Sequence, residues 1–98
     1  MSVLVVVSYD VSTMTLEGRR RLRQVSKACS GYGLRAQFSV FECEVDPAQW
    51  VSLKSRLLGI IDPDYDSLRF YHLGSNWRRR VEHYGMCKSP DHGSLFEV

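Results

Sequence analysis

Apolar residues dominate the start of the chain without interruption. Residues 3–7 are four valines and one leucine, and the polar Ser8, Tyr9 and Asp10 follow directly. A β-branched run of this kind predicts a strand that is buried on both faces. Such a strand would hold the Asp10 carboxylate at one fixed place at its C-terminal end.

Two later segments repeat apolar residues at helical spacing. The first covers residues 17–32, with Thr15 as its N-cap and Gly31 or Gly33 at its end. The second starts at Asp46-Pro47-Ala48-Gln49, where an Asp cap, a Pro at the first helical position and a Gln complete a capping box. It ends at Asp62-Pro63, since a residue before proline avoids the helical region. The buried stripes are predicted at Leu22, Val25, Cys29 and Tyr32 in the first helix and at Trp50, Leu53, Leu57, Ile60 and Ile61 in the second.

The remaining apolar positions alternate as they do in strands. Residues 34–45 change the phase of their alternation near Ser39 and Val40. This change indicates either a bulge in one bent strand or a reversal between two short strands. Residues 67–73 predict a further strand, and residues 80–84 a short extra one. The tail over residues 86–98 is predicted to be loose or ordered by a partner.

The order of these elements is that of an α+β protein. Strand, helix, two strands, helix and strand make the β-α-β-β-α-β arrangement of a ferredoxin-like sandwich, with an extra C-terminal strand. We expect one domain over residues 1–85. Two helices cover one face of such a sheet. A homodimer stacked sheet against sheet would cover the other face.

Composition argues against several classes of protein. With 98 residues, of which 44% are hydrophobic, the chain suits one small globular domain. No apolar run approaches the length of a membrane span and the N-terminus does not resemble a signal peptide, so we expect no membrane association and a cytoplasmic location. The cysteines and histidines are too widely spaced for a disulfide framework or a zinc site; they are Cys29, Cys43, Cys87, His72, His83 and His92.

Positive charge is concentrated in two arginine clusters, although the net charge is only +2. The planar fork of arginine suits bidentate contacts to phosphate, so the clusters indicate nucleic-acid binding. A solvated face of helix-supporting charge is the alternative interpretation. The first cluster is Arg19, Arg20, Arg21 and Arg23, and the second is Arg78, Arg79 and Arg80.

Asp10 is the carboxylate that follows the clearly buried strand. Its position suits a ligand of a hard cation such as Mg²⁺, or a base that orients water. One carboxylate per chain is a weak metal site, whereas two Asp10 side chains across a twofold axis could share one ion. In the alternative interpretation Asp10 only caps its own loop, by accepting hydrogen bonds from the amides of Ser12 or Thr13.

Three further features bear on binding. Arg35 opens the second strand, near the end of the first helix. Trp77, before the second arginine cluster, fits either a stacking element for nucleic acid or a packed side chain beside a solvated strand edge. The alternating Asp62, Asp64 and Asp66 lack the glycine and distal glutamate of a calcium loop, and therefore predict a turn.

Three stretches of the chain resemble a known family. They are Tyr9-Asp10-Val11-Ser12 with the arginine-rich helix after it, then Arg35-Ala36-Gln37-Phe38-Ser39-Val40-Phe41-Glu42-Cys43, then Asn76-Trp77-Arg78-Arg79-Arg80-Val81-Glu82-His83-Tyr84-Gly85. Together they are similar to the CRISPR-associated protein 2 family, and the third resembles one bacterial subset of it. The resemblance extends over nearly the whole chain, through Gly85.

The resemblance implies a homodimer in which residues 80–84 join the partner's sheet. It implies that Asp10 is catalytic and a metal ligand, with one Mg²⁺ or other divalent cation shared across the dimer axis. Arg35, Ser39 and Phe41 match the family's strand motif, which implies that they are supporting residues. Tyr9, directly before Asp10, is implied to be a supporting residue as well. Arg19 and Arg21 are the best matches for the family's helix arginines, to within one or two positions. The full predicted nucleic-acid-binding set is Arg19, Arg20, Arg21, Arg23, Arg35, Arg78, Arg79 and Arg80.

Three functions are open at this point. In the first, which the resemblance implies, the dimer is a CRISPR adaptation (spacer acquisition) protein with magnesium-dependent endonuclease activity on RNA or double-stranded DNA. In the second, it is a non-catalytic DNA-binding scaffold for the CRISPR-associated protein 1 integrase during spacer acquisition, the step called CRISPR adaptation. In the third, it is a small-molecule regulatory domain, which would leave the arginine clusters without a role.

Overall fold

The elements follow one another in the predicted order, in a computed structural model that describes residues 2–86. They are β1 (Val3–Asp10), α1 (Leu16–Ser30), β2 (Gly33–Gln37), β3 (Val40–Val45), α2 (Pro47–Ile60) and β4 (Ser67–Gly74), then a single 3₁₀ turn at Trp77–Arg79. The expected β-α-β-β-α-β arrangement of an α+β, ferredoxin-like domain is confirmed. The predicted tail lies outside the described residues from position 87 onward.

Both helices begin where the sequence places their caps. The Thr15 hydroxyl accepts a hydrogen bond from the Gly18 amide at 3.0 Å, and Gly31 caps the other end of α1. Asp46 and Gln49 form a reciprocal capping box at the start of α2: the Asp46 carboxylate accepts from the Gln49 amide at 2.8 Å, and the Gln49 side chain accepts from the Asp46 amide at 2.9 Å. The chain itself therefore supplies partners for amides that helix starts leave unpaired.

The sheet is antiparallel, with strand order β2-β3-β1-β4. The register pairs Val7 of β1 with Phe41 of β3 on one side and with Phe70 of β4 on the other. Odd-numbered β1 residues therefore point toward the helices, because successive side chains alternate between faces. The largest side chains with no exposed surface in this core are Phe41, Leu53, Leu57, Val5, Val7, Val25 and Val45.

Residues 34–45 form two strands rather than one bent strand. The chain reverses at Phe38 and Ser39, and the β2–β3 register also slips between Arg35 and Gln37. The Ser39 carbonyl accepts a hydrogen bond from the Tyr9 amide at 3.0 Å, which attaches the turn to β1. Of the two interpretations that the sequence allowed, the reversal is correct, and it comes with a local irregularity.

The face of the sheet away from the helices lies open in the single chain. Leu34 is 42% exposed and Tyr71 43% exposed on this face, while Val6 is half-buried. The prediction that β1 is buried on both faces is therefore met on the helix side and only partly on the other. Residues 80–84 contain no strand in the single chain. Their predicted pairing with a partner's sheet requires a second chain and stays a prediction.

Replacing Gly33 and Gly59 by alanine should have opposite effects on the free energy of unfolding. A Cβ atom at Gly33 would lie 2.1 Å from the Glu42 carbonyl oxygen, whereas one at Gly59, in α2, would meet nothing within 4 Å. We expect Gly33→Ala to lower the free energy of unfolding by about 1–3 kcal/mol through overpacking. The control Gly59→Ala should raise it by about 0.5–1 kcal/mol, because alanine is the better helix former. Urea denaturation measures the free energy of unfolding of both variants. Equal changes in the two would contradict the close approach of β2 to β3 at Gly33.

Candidate metal ligand and nucleic-acid interface

Asp10 is the last residue of β1 and its side chain is exposed. The alternation of the strand directs Tyr9 toward the helices, where it is only 4% exposed, and so places Asp10 on the open face. Within residues 2–86 the Asp10 carboxylate makes no hydrogen bond or ion pair, and it does not cap the Ser12 amide, which donates elsewhere. The loop-capping interpretation of Asp10 is therefore wrong in this structure, and the carboxylate is free to bind a ligand.

The Ser12 amide donates to Asp66, a carboxylate whose importance the sequence did not reveal. Asp66 Oδ1 accepts from the Ser12 amide at 3.0 Å, and Oδ2 accepts from the Asp62 amide at 2.8 Å. Arg21 adds two contacts, from Nε to Oδ2 at 2.7 Å and from Nη2 to Oδ1 at 3.3 Å. The Asp66 side chain has no exposed surface. This carboxylate thus connects the loop after β1, the end of α2 and the first turns of α1.

The surroundings of Asp66 favour its charged form. Burial by itself raises the pKa of a carboxyl group, but the Arg21 guanidinium and the amides of Asp62 and Ser12 outweigh it and hold the pKa of Asp66 below its ordinary value. The guanidinium of Arg21 is engaged with the Asp66 carboxylate. Binding of nucleic acid by Arg21 stays a prediction, and the structure shows a supporting role for it inside the fold.

The loop between β1 and α1 is fixed at a second point by a glycine. Gly18 is buried, and a Cβ atom there would lie 2.0 Å from the Ser12 carbonyl oxygen. Arg19 also reaches back to this loop, with its Nε donating to the Thr13 carbonyl at 3.4 Å. The segment that follows Asp10 is therefore held by both Asp66 and the first turn of α1.

The other cations of α1 face solvent along one side of the helix. Arg20 and Arg23 from the predicted set, together with Lys27, line a shallow depression of about 380 Å³. Residues three and four apart on a helix have Cβ atoms about 5–6 Å apart, so these cations form a continuous basic stripe. Sequence reasoning missed Lys27, although its position four residues after Arg23 is the signal that identifies it.

The predicted supporting residues lie together, but on the helix side of the sheet. Arg35 stacks over the ring of Phe41, with its Cζ atom 5.1 Å from the ring centroid, and its Nη2 donates to the Ser26 hydroxyl. The Tyr9 hydroxyl donates to the Phe38 carbonyl at 3.2 Å, and burial raises the pKa of Tyr9. The structure thus gathers Tyr9, Arg35 and Phe41 with one another and separates them from the open face that carries Asp10.

The second arginine cluster lies far from Asp10. The cluster comes soon after Gly74, which pairs with Leu4 at one end of β1. Asp10 pairs with Ser67 at the other end of β1, roughly 20 Å away at the usual rise per residue of a strand. The guanidinium of Arg78 lies 4.8 Å from the centroid of the Trp77 ring, and Arg80 Nη1 donates to the Leu73 carbonyl at 3.1 Å. Arg79 is exposed. Trp77 is therefore covered on one face by its neighbour.

Within residues 2–86 no group of three or more His, Cys, Asp or Glu side chains could hold a metal ion. Cys29 and Cys43 are buried free thiols. Cys87 and His92 lie outside the described residues. Across that same part of the chain no helix combines the length and hydrophobicity needed to cross a membrane.

The fold and the exposed cations define a small ferredoxin-like α+β protein with a basic helix face. The family model described as CRISPR associated protein Cas2 matches residues 1–81, and the chain belongs to this family. The resemblance found in the sequence is confirmed.

Its relatives include two curated proteins and a crystal structure. The CRISPR-associated endoribonuclease Cas2 of Chlorobaculum tepidum is 66% identical over 90% of this chain and 91% of its own length. The CRISPR-associated endonuclease Cas2 of Halalkalibacterium halodurans is 52% identical over 91% of this chain and 93% of its own. The crystal structure of Streptococcus pyogenes Cas2 at pH 6.5 superposes with a TM-score of 0.74 at 58% identity, covering 84% of this chain and 99% of that one.

The Asp66 contacts predict a change in the acid stability of the protein. Since the folded pKa is depressed, the stabilisation is complete above the unfolded pKa of about 3.9 and is lost as the pH falls through the folded pKa. We expect Asp66→Asn to lower Tm at pH 7 by roughly 5–15 °C, because an amide cannot replace the paired charge. The difference from wild type should narrow below about pH 4.

Thermal unfolding followed by circular dichroism between pH 2.5 and 7 measures this effect. Asp64→Asn is the matched control, because Asp64 lies in the same turn and is exposed. A constant difference between wild type and Asp66→Asn across this range would contradict a stabilising role for the charged form.

Proposed function

We propose that the protein is a homodimeric, cytoplasmic CRISPR-associated endonuclease that hydrolyses phosphodiester bonds of RNA or double-stranded DNA with the help of Mg²⁺. The observation that carries this proposal is the Asp10 carboxylate, which is exposed, makes no hydrogen bond or ion pair within residues 2–86 and ends a strand fixed by its neighbours. The endoribonuclease and endonuclease names of the relatives support it.

A second chain would complete the metal site. Within residues 2–86, the end of β1 offers one unpaired carboxylate, that of Asp10. Mg²⁺ in nucleotide chemistry takes one or two protein carboxylates, several waters and substrate phosphate oxygens. Two Asp10 side chains facing each other across a twofold axis fit that donor set. The bound ion would supply a water of lowered pKa and polarise the phosphate. Asp10 itself would orient the ion and one of its waters.

The open face of the sheet supports the dimer. Leu34 and Tyr71 present apolar surface there, and Asp10 lies at the end of the same face. In an isologous dimer each surface patch meets its own copy, so an Asp10 near the axis lies close to its twin. Stacking two copies through this face would bury the apolar side chains and bring the two carboxylates together.

The basic stripe would bind the phosphate backbone. Exposed Arg20, Arg23 and Lys27 can each pair with a phosphate, whereas Arg21 is engaged with Asp66. Each neutralised phosphate releases counterions, so binding should weaken steeply as salt increases.

The separation of the two arginine clusters favours a second candidate function. Arg78 and Arg79 lie at the opposite end of β1 from Asp10, which suits a grip along a duplex better than assembly of one catalytic centre. In this candidate the dimer is a non-catalytic scaffold that positions double-stranded DNA for the CRISPR-associated protein 1 integrase during spacer acquisition.

Asp10→Asn distinguishes the two candidates. We expect this variant to remain dimeric and to bind nucleic acid within about twofold of wild type, because phosphate contacts supply most of the affinity. Its Mg²⁺-dependent cleavage should fall at least about a hundredfold, since an amide is a much weaker ligand for a hard cation. Single-turnover cleavage of labelled RNA and duplex DNA, with sedimentation analysis of the same samples, measures both properties.

The exposed Asp64→Asn variant is the control and should cut as wild type does. If rigorously purified Asp10→Asn still cuts, the catalytic role of Asp10 is wrong. If it fails to cut but still supports spacer acquisition in cells, the scaffold is the function that matters there.

A further inference from the structure

An open groove of about 510 Å³ runs between α1 and the β2–β3 turn. It lies on the helix side of the sheet, opposite the face that carries Asp10, because Tyr9 and Asp10 point in opposite directions from β1. Its principal lining residues are Arg23, Ser26, Lys27 and Ser30 from α1, Arg35 from β2, and Phe38 from the turn.

The charge of the groove is entirely positive. Arg23, Lys27 and Arg35 line it, and none of its lining residues carries a carboxylate. Three cations exceed the single negative charge of an internal phosphodiester. They match a phosphate monoester better, because a monoester carries roughly 1.5 to 2 negative charges at pH 7.

Arg35 is fixed in place before any ligand arrives. Its guanidinium is stacked over Phe41, with its Cζ atom 5.1 Å from the ring centroid, and is tethered by the Ser26 hydroxyl. Its Nε is buried and makes no hydrogen bond within the described residues, and no described residue accepts a hydrogen bond from its Nη1. A fixed guanidinium loses little freedom when it binds phosphate.

Phe38 adds an aromatic surface at the edge of the groove. It occupies the β2–β3 turn and is 71% exposed, although most phenylalanines of a folded protein are buried. A phenyl ring in such a position can stack on a nucleobase, irrespective of base identity. The backbone carbonyl of Phe38 accepts from Tyr9, which holds the turn against β1.

We propose that this groove binds the phosphorylated end of a nucleic-acid strand: Arg23, Lys27 and Arg35 hold the terminal phosphate, and the terminal base stacks on Phe38. The site would serve the nucleic-acid chemistry of the proposed function, on which it rests, by selecting strand ends on the face opposite Asp10. The ligand chemistry is a nucleotide phosphate monoester, and a free mononucleotide and a strand end both contain it.

Titration at low salt with adenosine 5′-monophosphate, followed by amide chemical shifts in NMR, tests the site directly. We expect the mononucleotide to bind at least about fivefold more tightly than adenosine. Lys27→Gln should weaken its binding about fivefold through the lost charge, and Lys27→Arg should restore it. Phe38→Ala should also weaken it about fivefold, through the lost stacking.

Lys54→Gln is the matched control, because Lys54 is an exposed lysine on α2. It should bind the mononucleotide as wild type does. Equal binding of adenosine and its monophosphate, or binding that Lys27→Gln and Phe38→Ala leave unchanged, would overturn the groove as a phosphate site. The side chains of Lys27 and Phe38 are exposed, so the Tm of Lys27→Gln and of Phe38→Ala should match that of wild type.

Oligonucleotides distinguish strand ends from free nucleotides. One sequence is compared with a 5′-phosphate, a 3′-phosphate and no terminal phosphate. At least one phosphorylated form should bind more tightly than the unphosphorylated form, and Lys27→Gln should remove the difference. If adenosine monophosphate binds but terminal phosphates confer no advantage, selection of strand ends is wrong.

The two proposals can fail separately. Asp10→Asn should leave mononucleotide binding intact, because Asp10 lies on the other face of the sheet. Wild-type protein that cuts nucleic acid but does not bind the mononucleotide would overturn the groove alone. Protein that binds the mononucleotide but never cuts would overturn the endonuclease alone.

Discussion

The carboxylate of Asp66 is the contact on which the geometry around Asp10 depends. It accepts hydrogen bonds from the amides of Ser12 and Asp62 and forms a two-contact ion pair with Arg21. A buried charge is stabilising only when its oxygens are paired, and here both are. Since Ser12 lies two residues beyond Asp10, the same contacts fix the path of the chain as it leaves β1, and leave Asp10 free for another ligand.

The alternation of β1 divides the chemistry of the protein between two faces of one sheet. Tyr9 points to the helices and joins Arg35 and Phe41 there, whereas Asp10 points to the open face. Residues that are adjacent in sequence therefore serve different surfaces. On this geometry hydrolysis would take place on the open face, between two chains, and the basic groove would engage a strand end on the other face.

Much of the fold was predictable because its signals are local. Thr15 and the Asp46–Gln49 capping box start both helices as predicted, and the apolar stripes pack as expected. The reversal at Phe38 and Ser39 was only half predicted, since a phase change also fits a bulge. The sequence did not distinguish the roles of Arg21 and Lys27 from those of the other cations of α1. Which residues of a helix face solvent depends on the elements that pack against the helix, and the sequence of the helix does not specify those elements.

The sequence by itself determined the order of the elements, the helix caps, the family and the candidate carboxylate at the end of β1, since each follows from residue type, spacing or motif along the chain. Only the tertiary structure decided that Asp66 rather than Asp10 caps the loop at Ser12, and that Arg35 faces away from Asp10. Both depend on contacts between residues far apart in sequence, 54 positions in the case of Ser12 and Asp66. Local patterns do not specify such pairings, because many carboxylates and amides along the chain could form them.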